Sequence, residues 1–168
     1  MAAAPDGTSI LVTGSLVRLT TGSVRRVPAV WRSAGHASQW SRVDLPEAGS
    51  SGEATGVVCQ QGTCTVVGSV DDRLAVWRLG GSVERLHGLP DAPATDEHPA
   101  SSPVLAGEGA VLAVSTSSGS TVLREQGGTW SSTPGPPGPV RALAVVGRSM
   151  YAVATDGSGR DRLWRAPA

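Results

Sequence analysis

One tetrapeptide returns along this chain at an almost constant step, and it restricts the fold more than any other feature. Ala29-Val30-Trp31-Arg32, Ala75-Val76-Trp77-Arg78, Thr121-Val122-Leu123-Arg124 and Arg162-Leu163-Trp164-Arg165 follow one another at steps of 46, 46 and 41 residues. Before each lies an apolar stretch that ends near Gly or Ser, at 9–15, 64–70, 111–117 and 150–157. These segments alternate apolar and polar residues and stop at Gly, Pro or Asp, as half-buried antiparallel strands do. None has the period or the length of a helix. The fullest repeat, 54–89, reads as four strands in a row.

Four strands in a repeat of this length are the signature of propeller blades. The expected fold is all-β: a β-propeller of four-stranded antiparallel blades, about three and a half of them in this chain. Blades are expected at 8–45, 54–89, 100–134 and 139–167, within a single partial propeller over 1–168. With strands labelled a to d from the inside out, the chain reads bcd, abcd, abcd, abc. The first blade then lacks its inner strand and the last its outer one. Closed propellers have roughly four to eight blades, and an open repeat exposes edge strands and apolar faces that proteins avoid. A protein partner or self-association is therefore expected to complete the ring.

Formal net charge is zero, so nothing draws this chain to nucleic acid or to an anionic membrane. All fourteen basic residues are Arg, and Lys, Asn and Phe are absent. Those missing residues share A/T-rich codons, so the Arg excess points to a GC-rich genome, of the actinobacterial kind, rather than to phosphate recognition. The longest apolar runs are far short of a membrane span, so no membrane insertion is expected. The start, MAAAPDGTSI, lacks the charged and apolar regions of a signal peptide. If the protein is exported, this chain is expected to be a mature piece or part of something larger.

Cys59 and Cys64 flank Gln-Gln-Gly-Thr in what reads as a hairpin. A two-residue turn at Gln61-Gly62 makes residues 60 and 63 the closing hydrogen-bonded pair. It sets 59 opposite 64 at a non-hydrogen-bonded site, where Cα atoms approach to about 4.5 Å. A disulfide accepts that separation, and the expected Cys59–Cys64 bridge favours an oxidising compartment, extracellular or at the cell surface. Free thiols would instead mark an intracellular interaction propeller. Zinc would need two more suitably spaced ligands, which the three scattered His do not offer. Trp31, Trp77 and Trp164 recur at one repeat position, and Trp40 and Trp130 open the following strand, so packing between blades explains them better than sugar stacking.

An up-and-down blade places its a–b and c–d turns on one face and its b–c and d–a connections on the other. The first set is short and Gly-rich; the second carries most of the charge. Loops on a rigid scaffold are where binding concentrates, so the expected binding face comprises Arg18, Arg25 and Arg26 in 16–28, then Asp71, Asp72 and Arg73. It continues with Asp96, Glu97 and His98 in 90–102, and with Arg160 and Asp161 beside Asp156 in the 156–162 turn. That last turn has the flavour of a calcium loop without the remaining ligands, and its glycines suit a hairpin needing positive φ. No Gly-x-Ser-x-Gly elbow, P-loop or Gly-x-Gly-x-x-Gly occurs. No catalytic residue, metal ligand or cofactor is assigned.

The blades resemble actinobacterial secreted propeller repeats with WD40- or Asp-box-like features, in the segments 59–69, 29–33 and 40–46. Leu123-Arg-Glu-Gln-Gly-Gly-Thr-Trp130 also resembles the Asp-box of sialidase-type propellers, departing from it at Leu123 and Glu125. The resemblance implies a propeller, commonly secreted or on the surface, and no particular ligand. Sialidase chemistry would need an arginine cluster, paired acids and a nucleophilic Tyr, whereas Tyr151 lies mid-strand. The function expected is a non-catalytic extracellular binding or scaffold propeller for protein–protein interaction. The alternative is a carbohydrate-binding, lectin-like propeller or the propeller part of a glycosidase.

Overall fold

The alternation read along the chain becomes fifteen strands in the computed structural model, which describes residues 2–6, 9–34, 39–89, 100–116 and 119–168. Sheet 1 contains β1 (Ala3–Asp6), β2 (Ser9–Thr20), β3 (Ser23–Ala34) and β4 (Gln39–Val43). Sheet 2 contains β5 (Gly52–Gln60), β6 (Thr63–Val70), β7 (Arg73–Leu79) and β8 (Val83–Arg85). Sheet 3 contains β9 (Val104–Ala106), β10 (Gly109–Thr116), β11 (Gly119–Gln126) and β12 (Thr129–Pro134). Sheet 4 contains β13 (Val140–Val146), β14 (Ser149–Thr155) and β15 (Asp161–Pro167). Every pairing is antiparallel and joins sequence neighbours. The protein is all-β, built of antiparallel sheets.

Two compact units result, Met1–His87 and Gly88–Ala168. In the first, alternate residues of sheets 1 and 2 face each other: Leu11 and Val30 from sheet 1 pack with Val57, Val66, Trp77 and Leu79 from sheet 2. Each buried aliphatic side chain contributes roughly 1.5–3 kcal/mol by leaving water. The indole of Trp77 spends its only donor on Pro46 O, at 2.9 Å, as a buried Trp must. In the second unit Val111 and Val122 of sheet 3 meet Met150 of sheet 4, and Ala113 meets Ala152 and Ala154.

Two expectations about sheet 1 need correction. It has its first strand after all: β1 pairs Ala3 with Val12 and Pro5 with Ile10. Ala-Ala-Pro-Asp has low β propensity, and Pro5 fits because an edge strand does not need every N–H. The segment 16–28 is not a loop either. β2 and β3 stay in register from Leu11↔Arg32 out to Thr20↔Ser23, around a two-residue turn at Thr21-Gly22. Likewise the charged 70–74 connection is a tight turn, with Asp71 and Asp72 both at positive φ (49° and 61°). Asp tolerates that conformation better than most residues.

The disulfide forms as its hairpin predicts. Gln61 and Gly62 turn at φ of 50° and 77°, Gln60 pairs with Thr63, and Cys59 is bonded to Cys64 at a Cα separation of 4.0 Å. Further along the same hairpin β5 carries a bulge between Ala54 and Gly56. Gly68 sits opposite it, where a Cβ would come within 2.0 Å of Glu53 O. Only glycine allows that approach.

Candidate binding site

The hairpin of β2 and β3 is longer than its counterpart in sheet 2, and the excess can be counted. Gly14 pairs with Ala29 fifteen residues on, whereas Gly68 pairs with Ala75 after seven, so sheet 1 carries eight additional residues between equivalent cross-strand pairs. They form a two-stranded finger beyond the sheet. Register sets Val17, Leu19, Val24 and Arg26 on one side and Leu16, Arg18, Arg25 and Val27 on the other. Val17, Leu19 and Val24 are exposed, as are all three arginines. No acidic residue lies between 16 and 28, and Arg18 stands directly across from Arg25. Like charges opposed in a ladder cost stability, so this finger is not arranged for its own benefit.

At its base, on the side of Leu16, Arg18 and Val27, a concavity of about 290 Å³ opens against 42–45 and Ala48-Gly49 of the connection into sheet 2. Arg42 Nε donates to Asp44 at 2.9 Å, and both of these lining residues remain exposed. The connecting wall is held by three ties. Trp77 donates to Pro46 O, Arg85 donates to Glu47 O at 2.8 Å, and Asp71 fastens Ser50 and Ser51. The Asp71 carboxylate accepts from Ser50 Oγ at 2.7 Å and from the N–H groups of Ser50 and Ser51 at 3.2 and 3.1 Å. These bonds, the Ser50 hydroxyl first, hold its carboxyl below the usual carboxylate range. Asp71 is thus a clamp for the wall rather than a group offered to a ligand.

Of the residues expected on the binding face, Arg18 reaches the concavity, while Arg25 and Arg26 lie further out on the finger. Asp71 and Asp72 form the β6–β7 turn and Arg73 opens β7 opposite Val70. Asp96, Glu97 and His98 lie outside the described residues. Arg160 and Asp161 belong to the turn into β15 in the second unit, where they serve local structure. There Asp156 accepts from Ser158 Oγ (2.6 Å), Ser158 N (2.9 Å), Arg160 N (3.1 Å) and Arg162 Nε (2.6 Å). Its carboxyl is held far below its ordinary value, chiefly by the Ser158 hydroxyl and then by Arg162. Asp161 accepts from Thr155 Oγ1 at 2.7 Å, and Gly159 supplies the positive φ, 77°. The carboxylate that gave this turn its calcium-loop flavour is occupied by its own backbone and hydroxyl donors.

Residues that sequence reasoning did not single out include Val17, Leu19 and Val24 on the finger and Arg42 and Asp44 at its base. The unequal spacing from Gly14 to Ala29 and from Gly68 to Ala75 was the available signal. In the second unit a separate concavity of about 340 Å³ is lined by Trp164, Met150, Val122 and the 133–137 segment. Glu125, in the Asp-box-like stretch, accepts from Gly128 N at 3.1 Å and closes the β11–β12 turn. Among the described residues no three His, Cys, Asp or Glu are grouped to hold a metal ion, and no helix is long and apolar enough to cross a membrane. No protein-family model matches the chain, and no curated protein does.

Proposed function

We propose that this chain is a non-catalytic binding or scaffold β-propeller of the extracellular or cell-surface type, mediating protein–protein interaction, with its ring completed by a partner or a second copy. The four repeats and their antiparallel sheets support the propeller. The Cys59–Cys64 bond suits an oxidising compartment. What carries the binding role is the finger: eight residues that the equivalent hairpin of sheet 2 does without, with three exposed aliphatic side chains and three arginines. Insertions in single repeats commonly map to the binding face, and apolar exposure of this kind marks interaction surfaces. The partner it fits offers carboxylates to Arg18, Arg25 and Arg26 around an apolar strip, which relieves the Arg18–Arg25 opposition.

The test is a photoreactive residue at position 19. It should give a discrete crosslinked protein species that the same group at Arg148, on the β13–β14 turn, does not give. Shortening the finger to the length of the sheet 2 hairpin, with Asn-Gly at the new turn, should abolish interaction and leave the far-UV spectrum intact. Equal crosslinking from both positions would sink the reading. A carbohydrate-binding role has one observation in its favour, the part-exposed Trp164 lining a concavity. It predicts quenching of tryptophan fluorescence by a member of a sugar panel, lost in Trp164→Ala.

A further inference from the structure

The repeat assigns each strand-c side chain a neighbour. In the tetrapeptide, the second residue faces the sheet that follows in the chain: Val30 of sheet 1 packs on sheet 2, and Val122 of sheet 3 packs on sheet 4. The third residue faces the sheet that precedes: Trp77 of sheet 2 packs on sheet 1, and Trp164 shares the side of Met150 and Ala152 that meets sheet 3. Val30 and Val122 are 0% and 2% exposed. Leu163 holds the same position in sheet 4 and is 70% exposed. Around it, on the same side by register, lie Val153, Ala142, Ala144 and Tyr151, with Val146 also 67% exposed. On this side Arg165 lies over the Tyr151 ring, while Leu163 and Val146 keep most of their surface in water, as an apolar blade face built to be covered.

The complementary surface is present on sheet 1. Its third tetrapeptide residue, Trp31, points to the side away from sheet 2, and shares that side with Val12 by register. Ile10 (39% exposed) and Trp40 (48% exposed) extend the same apolar area. The face left open on sheet 4 is thus the kind that sheets 1 and 3 bury against a Trp-bearing sheet. The face left open on sheet 1 is the Trp-bearing kind that sheets 2 and 4 present. We infer that a second copy of this chain covers them head to tail: the Leu163 face of sheet 4 in one copy packs on the Trp31–Ile10 face of sheet 1 in the other, repeating the sheet-on-sheet contact that each unit already makes internally. This deepens the proposed completion of the ring, on which it rests, by naming the occupant and the two faces. The contact is heterologous, so each copy contributes one face of each kind.

The asymmetry gives the test. Sedimentation equilibrium of the full chain should show a species of at least twice its 17.0 kDa mass. Leu163→Arg and Ile10→Arg each set a charge in the middle of one face and should weaken association by on the order of a hundredfold. Leu163 is 70% and Ile10 39% exposed, so an arginine at either can turn to water and the far-UV spectrum should not change. A mixture of the two variants should associate again as a heterodimer, because the intact sheet 4 face of one meets the intact sheet 1 face of the other. A wild-type chain that stays monomeric at every concentration would overturn the inference, as would variants that remain monomeric when mixed. A third variant, Leu19→Ser with Val24→Ser, separates this contact from the finger. Association lost there but kept in Leu163→Arg would overturn the head-to-tail contact while leaving a protein-binding finger standing.

Discussion

Trp77 and Trp164 share one position of the repeat but not one environment, and replacing each by Phe separates repeat position from burial. Trp77 is fully buried between sheets 1 and 2 and donates to Pro46 O at 2.9 Å, whereas Trp164 keeps 38% of its surface in water. In Trp77→Phe the smaller ring leaves a void of about 40 Å³, which costs about 1 kcal/mol at about 24 cal/mol per Å³. Lost transfer of the missing atoms adds roughly 1 kcal/mol. The lost hydrogen bond, with the Pro46 carbonyl left without its donor, adds about 1 kcal/mol more. The expected loss is about 3 kcal/mol, a large share of the roughly 5–15 kcal/mol that holds a domain together. Trp164→Phe should cost less than about 1 kcal/mol, since its site is open to solvent. Guanidinium unfolding followed by far-UV circular dichroism measures both without relying on the altered fluorophores. Losses within about 0.5 kcal/mol of each other would refute the claim that burial, and not the repeat, sets what each Trp contributes.

Two further perturbations act on the turns. Replacing Cys59 and Cys64 together by Ala should lower stability by about 2 kcal/mol, the value for so short a closed loop. The wild type treated with dithiothreitol should match it, while the double variant should ignore the reductant; an unchanged unfolding midpoint would show that the Gln61-Gly62 turn alone fixes this hairpin. Asp156, whose carboxyl is depressed in the fold by Ser158 and Arg162, stabilises the folded state above the ordinary carboxylate range and loses that contribution as pH falls through its folded value. Asp156→Asn should therefore melt lower than the wild type near neutrality, with the difference shrinking as acid is added below about pH 4. A difference that stays constant down that series would refute the assignment of this stabilisation to the ionised carboxylate.

The recurring tetrapeptide made β3, β7, β11 and β15 legible, because the same residue types return at a nearly fixed step, even in β15, none of whose side chains is buried. The disulfide was legible for a similar reason: a two-residue turn fixes which residues face each other, and Cys59 and Cys64 fell on such a pair. The finger was not. Neither of its sides is buried, so Val17, Leu19 and Val24 share a side that meets no core, and the Arg residues among them read as a charged loop. β1 escaped because Ala-Ala-Pro-Asp is short, weak in β propensity and held by its neighbour rather than by its own preference. Among the candidate site residues, charge misled where it serves the backbone. Asp71 ties Ser50 and Ser51 in place, and the Asp156 turn satisfies itself, as only the three-dimensional positions of their donors reveal.

Each strand of this chain hydrogen-bonds only to its neighbours in sequence, and that connectivity bears on how such a chain comes to have the number of sheets it has. Pairing of this sort is settled within a few dozen residues, so a sheet zips without waiting for distant segments, and contact order stays low for an all-β chain. Gaining or losing one repeat through a single duplication or deletion would leave every other register as it was. What such an event would disturb is only the pair of faces at the break, which is where selection on a change in repeat number would be felt.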